Sequence, residues 1–189
     1  MAAIVPLVIL ALLVLAVLWI VGLYNGLVRM RNAVRNAWSQ IDVQLKRRHD
    51  LIPNLVETVK GYAAHEKTTF ETVTRARAQA MQARGVEDQA RAEQELSGAL
   101  GRLMVVVEQY PALQANQNFL ALQEELSSTE NRIGFARQFY NDSVMQFNNK
   151  VQSVPSNVLA GMFDFKTEPF FVLEEPAARE VPQVKFSQP

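Results

Sequence analysis

The chain has 189 residues, 49% hydrophobic and 20% charged, with no cysteine and a formal net charge of zero. That length suits one domain with a core of its own. Lacking cysteine, the chain has no disulfides, thiolate chemistry or Cys-ligated metal, and zero net charge provides no global field for nucleic acid or strongly acidic partners.

Residues 4–23, IVPLVILALLVLAVLWIVGL, carry no charged or strongly polar side chain, and the first charged residue is Arg29. About twenty apolar residues at ~1.5 Å each cover roughly 30 Å, the thickness of a bilayer's hydrocarbon core. A cleaved signal peptide would want a basic n-region, a shorter apolar core and a small-x-small cleavage site. Met1 to Ile4 holds no Lys or Arg and nothing like A-x-A follows Leu23, so residues 1–28 read as an uncleaved transmembrane anchor. Trp19 and Tyr24 suit an interfacial belt, and Pro6 sits near the start, where a proline costs least. Arg29, Arg31 and Arg35 follow the span, each able to meet anionic headgroups for about 1 kcal/mol. Their position, by the positive-inside rule, puts the C-terminal bulk in the cytoplasm.

Beyond the span, Leu27, Val34, Trp38, Ile41, Leu45, Ile52, Leu55, Val59 and Tyr62 recur mostly at steps of four and three, the stripe of a helix that buries one face. The stripe holds its phase past Pro53, which removes the hydrogen bond to the carbonyl of His49 at a cost of roughly 3 kcal/mol. Asp50 could instead cap a new helix starting at Leu51, but the unbroken register favours a kink. The helical pattern continues through Phe70 and Val73 into Ala76 to Ala83, with a stop at Arg84-Gly85.

A second helix is expected from about Glu87 to Tyr110, closed by Pro111, with Leu96, Leu100, Leu103, Val107 and Tyr110 on its stripe. The third runs from about Ala115 to Val154, where Phe119, Leu126, Ile133, Tyr140, Phe147 and Val154 recur every seven residues. Pro155 ends it, and Ser156 caps a short further turn to Met162. Gly98, Gly101 and Gly134 fall within helical patterns, where they are expected to permit close helix approach. The fold class is therefore all-α: an N-terminal transmembrane helix continuing into an elongated antiparallel bundle over residues 29–163. Residues 164–189 hold prolines at 169, 176, 182 and 189 and aromatics at Phe165, Phe170, Phe171 and Phe186. So aromatic a tail is expected to lie partly extended along the bundle, with its last residues loose.

The run from Tyr24 to Glu66, with YNGLV, RNAVRNAWSQIDVQLKRRHDLIPNLVETVKGY and AHE, resembles the LemA family of bacterial membrane-anchored helical proteins. ALGRL at 99–103, YPALQANQNF at 110–119, LQEELSSTEN at 122–131, YND at 140–142 and PSN at 155–157 match it in the same order. The resemblance implies a single-span anchor in the bacterial inner membrane, an elongated helical bundle with the N-terminus outside, and a scaffold or partner protein rather than a catalyst. One class of members takes part in organising magnetosome membranes, so a membrane-organising role is among those it implies.

No motif supplies catalytic chemistry: there is no G-x-S-x-G, phosphate-cradling glycine loop or dinucleotide fingerprint. His49 and His65, sixteen residues apart, would stand ~160° apart on an unbent helix and share no metal, and HEKTT lacks the second histidine of a zinc helix. No cofactor is expected. Lys46, Arg47 and Arg48 lie roughly 35 Å beyond Leu23 along a straight helix; they either bind an acidic partner surface, bend down to lipid, or pair with acids on neighbouring helices. Glu124, Glu125, Glu130, Asn131, Arg132, Arg137 and Asn141 form the most polar stretch of the third helix. Paired carboxylates can do acid–base work, but charges at this spacing are more often a solvated or inter-helix face. Two functions follow: a tethered scaffold that self-associates or holds another membrane protein, with Lys46, Arg47, Arg48, Glu125, Glu130, Asn131 and Arg137 as partner-binding candidates, or an accessory hydrolase using the acidic cluster. Docking of a signalling partner by the tail from Asp164 is a weaker third.

Overall fold

The computed structural model describes residues 4–172. Its elements are α1 (Ile4–Lys60), α2 (Lys67–Gln82), α3 (Val86–Val107), α4 (Pro111–Gln114), α5 (Gln117–Gln152) and α6 (Ser156–Met162). There is no strand among the described residues. Pro176, Pro182, Phe186 and Pro189 of the expected tail lie outside them.

The first helix is a single rod of 57 residues, roughly 85 Å at 1.5 Å per residue. From Ile4 to Gly22 every side chain is exposed, and packing begins only at Leu23. This segment is long and apolar enough to cross a membrane. From Leu27 onward the stripe is buried: Leu27, Val34, Ile41, Leu45, Ile52, Leu55 and Val59 are all in the core.

The chain then runs up and down. Residues 61–66 reverse direction and α2 returns beside α1; Gly85, at φ 84°, turns the chain into α3. α4 starts at Pro111 and leads into α5, whose first turn is capped by Asn116 Oδ1 accepting from Phe119 N at 3.0 Å. α5 descends along the whole extramembrane part of α1, forming the largest interface in the molecule. The outer half is thus a four-helix arrangement, and the half nearer the span is a two-helix stalk closed by α6 and the tail.

The core has two parts. An outer cluster joins Ile52, Leu55 and Val59 to Phe70, Val73, Leu96, Leu100, Leu103, Leu113 and Phe119. An inner cluster joins Leu27 to Leu45 with Ile133, Tyr140, Val144, Phe147, Leu159, Phe165 and Phe171. At about 25 cal/mol per Å² of apolar surface removed from water, these clusters supply most of the drive for the rods to pair.

The tail is strapped to α5 by two asparagines. Asn148 Oδ1 accepts from Glu168 N at 2.8 Å while its Nδ2 donates to Glu168 O at 2.9 Å. Asn141 treats Phe171 the same way, at 2.9 and 3.2 Å. Seven helical residues span about 10.5 Å and three extended ones about 10 Å, so the two spacings match. Between the clamps Tyr140 Oη donates to Pro169 O at 2.9 Å. Aromatic edges complete the strap: Phe171 meets Trp38 at 5.7 Å, and Tyr24 meets Phe163 at 4.8 Å and Phe165 at 5.8 Å.

Several expectations are corrected. The first helix does not continue to Ala83, because residues 61–66 break it after Lys60 and Tyr62 is exposed in the turn. Val154 leaves the seam, at 82% exposure, because α5 ends before it. Ser156 is the first residue of α6 and Pro155 its cap; the Ser156 hydroxyl donates back to the carbonyls of Lys150 and Ser153. A Cβ added at Gly98, Gly101 or Gly134 would meet nothing within 4 Å, so no helix approaches closely there.

Candidate functional site

Between the two apolar clusters lies a polar layer. Arg48 and His49 follow Leu45 on α1 and are 4% and 7% exposed, and Glu93 on α3 is 1% exposed. Glu93 lies three residues before Leu96, in phase with the stripe of α3, and so is carried into the core. His49 Nε2 donates to Glu93 Oε1 at 2.7 Å, Gln89 Nε2 donates to the same oxygen at 2.9 Å, and Arg48 Nη1 lies 3.3 Å from Oε2. A buried carboxylate is thereby supplied with three donors, which burial of a charge demands. Arg48 also donates to Ser97 Oγ at 2.7 Å and pairs with Glu130 on α5 at 3.3 Å.

Pro53 falls one turn beyond this layer and has no N–H for the carbonyl of His49. Arg77 on α2 supplies the missing donor, its Nε lying 2.7 Å from His49 O. The helix therefore passes through Pro53 without ending. Asp50 caps nothing there.

The charged residues singled out from the sequence sit as follows. Arg47 pairs with Glu125 and Arg48 with Glu130, so the antiparallel course of α5 brings the basic turn of α1 against the acidic stretch. Lys46, Glu124 and Asn131 are exposed and Arg137 is half-buried. Toward the span, Trp19 is exposed, Tyr24 is half-buried among the tail's rings, and Arg29 and Arg35 are exposed. Arg31 stacks over Phe165 at 4.7 Å. His65 lies in the turn after α1, so no helical angle relates it to His49. Among the described residues no group of three or more His, Asp or Glu is placed to hold a metal ion.

On the outer side of the α1–α5 stalk a groove of about 580 Å³ is lined by Ser39, Gln40, Val43, Gln44, Arg132, Phe135, Ala136 and Phe139. Val43, Phe135 and Phe139 are 62%, 74% and 51% exposed. Single exposed apolar side chains are ordinary, but three converging with two phenyl rings are not. The Oε1 atom of Gln44 is buried there with no hydrogen-bond partner. Arg132 carries the groove's charge; nothing in its lining pairs a nucleophile with a base, so it offers contact rather than acid–base chemistry.

Residues 37–186 match the model of the LemA family. The chain belongs to the LemA family. It is 28% identical to magnetosome protein MamQ 2 of Paramagnetospirillum magneticum, over 88% of this chain and 73% of that protein. It is likewise 28% identical to magnetosome protein MamQ of Magnetospirillum gryphiswaldense, over 82% of this chain and 66% of that protein. Protein LemA of Metamycoplasma hominis is also 28% identical, over 82% of this chain and 71% of its own length. The strap-bearing asparagines and the polar layer of this LemA-family protein all fall inside the matched region.

Sequence reasoning passed over Glu93, Arg77, Val43, Phe135 and Phe139. A carboxylate in phase with Leu96 and Leu100 was a readable signal for the first. Phe135 and Phe139 are a helical i, i+4 pair out of phase with Ile133 and Tyr140, which marks a second apolar face. Arg77 gives no such sign, since its acceptor is a backbone carbonyl on another helix.

Proposed function

We propose that this LemA-family protein is a membrane-tethered, non-enzymatic scaffold that self-associates through the groove at Val43, Phe135 and Phe139. Its anchor lies in the bacterial inner membrane, and its bundle, following Arg29, Arg31 and Arg35, lies on the cytoplasmic side. The observation that carries the proposal is the exposed phenylalanine pair beside Val43 in one groove of the stalk. Tethering by α1 holds this patch at one height, roughly 30 Å beyond Tyr24 along the helix. Two copies related by a two-fold axis along the membrane normal therefore present the same face to one another, the self-complementary arrangement of closed dimers. Kinship with proteins named for the magnetosome supports a place at a membrane.

Because the chain has no cysteine, Phe139→Cys gives a single thiol for cross-linking in native membranes. A covalent dimer that Phe135→Ser weakens is expected; a lone monomer under all cross-linking conditions overturns self-association. The alternative, an accessory hydrolase built on Glu124, Glu125, Glu130, Asn131 and Arg137, is weakened because Arg47 and Arg48 already engage Glu125 and Glu130. An unchanged phenotype in Glu125→Ala and Glu130→Ala variants removes it.

A further inference from the structure

α6 is the element of the bundle placed nearest the span. Leu159 and Ala160 are buried in the same cluster as Leu27, with Leu23 and Tyr24 packed against it, and Phe163 meets the Tyr24 ring. These are the first residues of α1 to be covered; everything before Leu23 is exposed. The opposite side of the same short segment is apolar and bare: Val154 is 82%, Val158 62%, Met162 73% and Phe163 51% exposed. Val158 and Met162 stand four residues apart on α6 and so share one side, and Val154 is bare in the turn just before it. No charged residue lies between Lys150 and Asp164. The flanking charges are Arg29 of α1 and, on the tail, Asp164 and Lys166, all exposed, with Lys166 Nζ 3.5 Å from Asp164 Oδ2.

We propose that Val154 to Phe163 forms a second membrane contact, a foot that lies in the boundary between headgroups and acyl chains beside the base of the span. The occupant of this face is the bilayer itself, because the segment packs against Leu23, Tyr24 and Leu27, where the fully exposed apolar run of α1 ends, and Arg29, exposed two residues beyond Leu27, suits anionic headgroups. A foot beside the span fixes the tilt of the stalk, which a single helix leaves free to vary. It also holds the tail's starting point, Phe163 and Phe165, at the membrane surface. The proposal rests on the reading of residues 4–23 as a membrane span.

The test uses the full chain in vesicles of phosphatidylethanolamine and phosphatidylglycerol, with an environment-sensitive fluorophore on a single introduced cysteine. Val158→Cys and Met162→Cys report the foot, Leu13→Cys the span, and Val105→Cys an exposed apolar site at the far end of the bundle. Labels at 158 and 162 should be quenched by a lipid spin label near the top of the acyl chain and protected from aqueous iodide, with the label at 105 quenched by iodide alone. Iodide quenching at 158 and 162, alongside deep-lipid quenching at 13, overturns the foot and leaves the span standing. Iodide quenching at 13 as well removes the span and the foot together.

Discussion

Arg77 completes the helix that Pro53 interrupts: its Nε lies 2.7 Å from the carbonyl of His49, the group that a residue with an N–H at position 53 would have satisfied. Leaving a half-buried carbonyl without a donor costs about 1–3 kcal/mol, so Arg77→Ala should destabilise the fold by that amount. In a Pro53→Ala background the helix supplies its own donor and the same substitution should cost less than about 1 kcal/mol. Urea unfolding of the two single variants and the double variant measures the coupling directly; strict additivity would show that Arg77 does not compensate for the proline.

Among the described residues Glu93 is the one carboxylate bonded to His49, and it shares Arg48 with Glu130. Glu93→Ala removes a fully buried partner and should cost about 3–5 kcal/mol. Glu130, whose side chain is 48% exposed, should cost under about 1 kcal/mol when changed to alanine. Thermal unfolding in detergent compares them, and equal losses would contradict the assigned burial.

The asparagine clamps should act as a latch on the tail. Asn141→Ala and Asn148→Ala each remove two hydrogen bonds worth about 1 kcal/mol net apiece, and the exposed strap should then exchange its amide hydrogens and admit protease near Glu168. Hydrogen exchange at Glu168 and Phe171 unchanged from the parent protein would show that the aromatic contacts alone hold the tail.

Tyr140 links the strap to pH. Burial, and next the nearby Glu168 carboxylate, raise its pKa from 10.0 to about 12. Its neutral form is thus favoured in the folded chain, a contribution fully present below pH 10 and lost as pH rises from 10 to about 12. A Tyr140→Phe variant should lose the bond to Pro169 O, at about 1 kcal/mol, and show a smaller fall in melting temperature across that alkaline window.

Gly98, Gly101 and Gly134 stand in helix interiors with open space where a Cβ would go. Alanine at each should stabilise the protein by about 0.4–1 kcal/mol through the unfolded chain's lost freedom. A loss of stability at any of them would reveal a contact that the fold does not show.

What the sequence determined by itself is whatever a segment's own periodicity expresses. The stripe of Leu27 to Val59 and the heptad seam of Phe119 to Phe147 each require a helix with one buried face, and a run of twenty apolar residues without charge requires a non-aqueous surrounding. The aromatic density after Asp164 likewise announced a tail that packs. The reversal at residues 61–66 was less legible, since Ala63, Phe70 and Val73 continue an apolar pattern that a turn can carry as well as a helix.

The site shows the same division. Arg47, Arg48, Glu125 and Glu130 stood out as charged clusters, but their pairing depends on the register of two antiparallel rods with α2, α3 and α4 between them in the chain. His49 and Glu93 lie 44 residues apart, Arg77 and His49 lie 28 apart, and the Val43 groove exists only where α1 and α5 run side by side. Tertiary structure alone decided these, because desolvation of a side chain is a property of the neighbour it meets. One helix's periodicity states which face must be covered and leaves unstated what covers it.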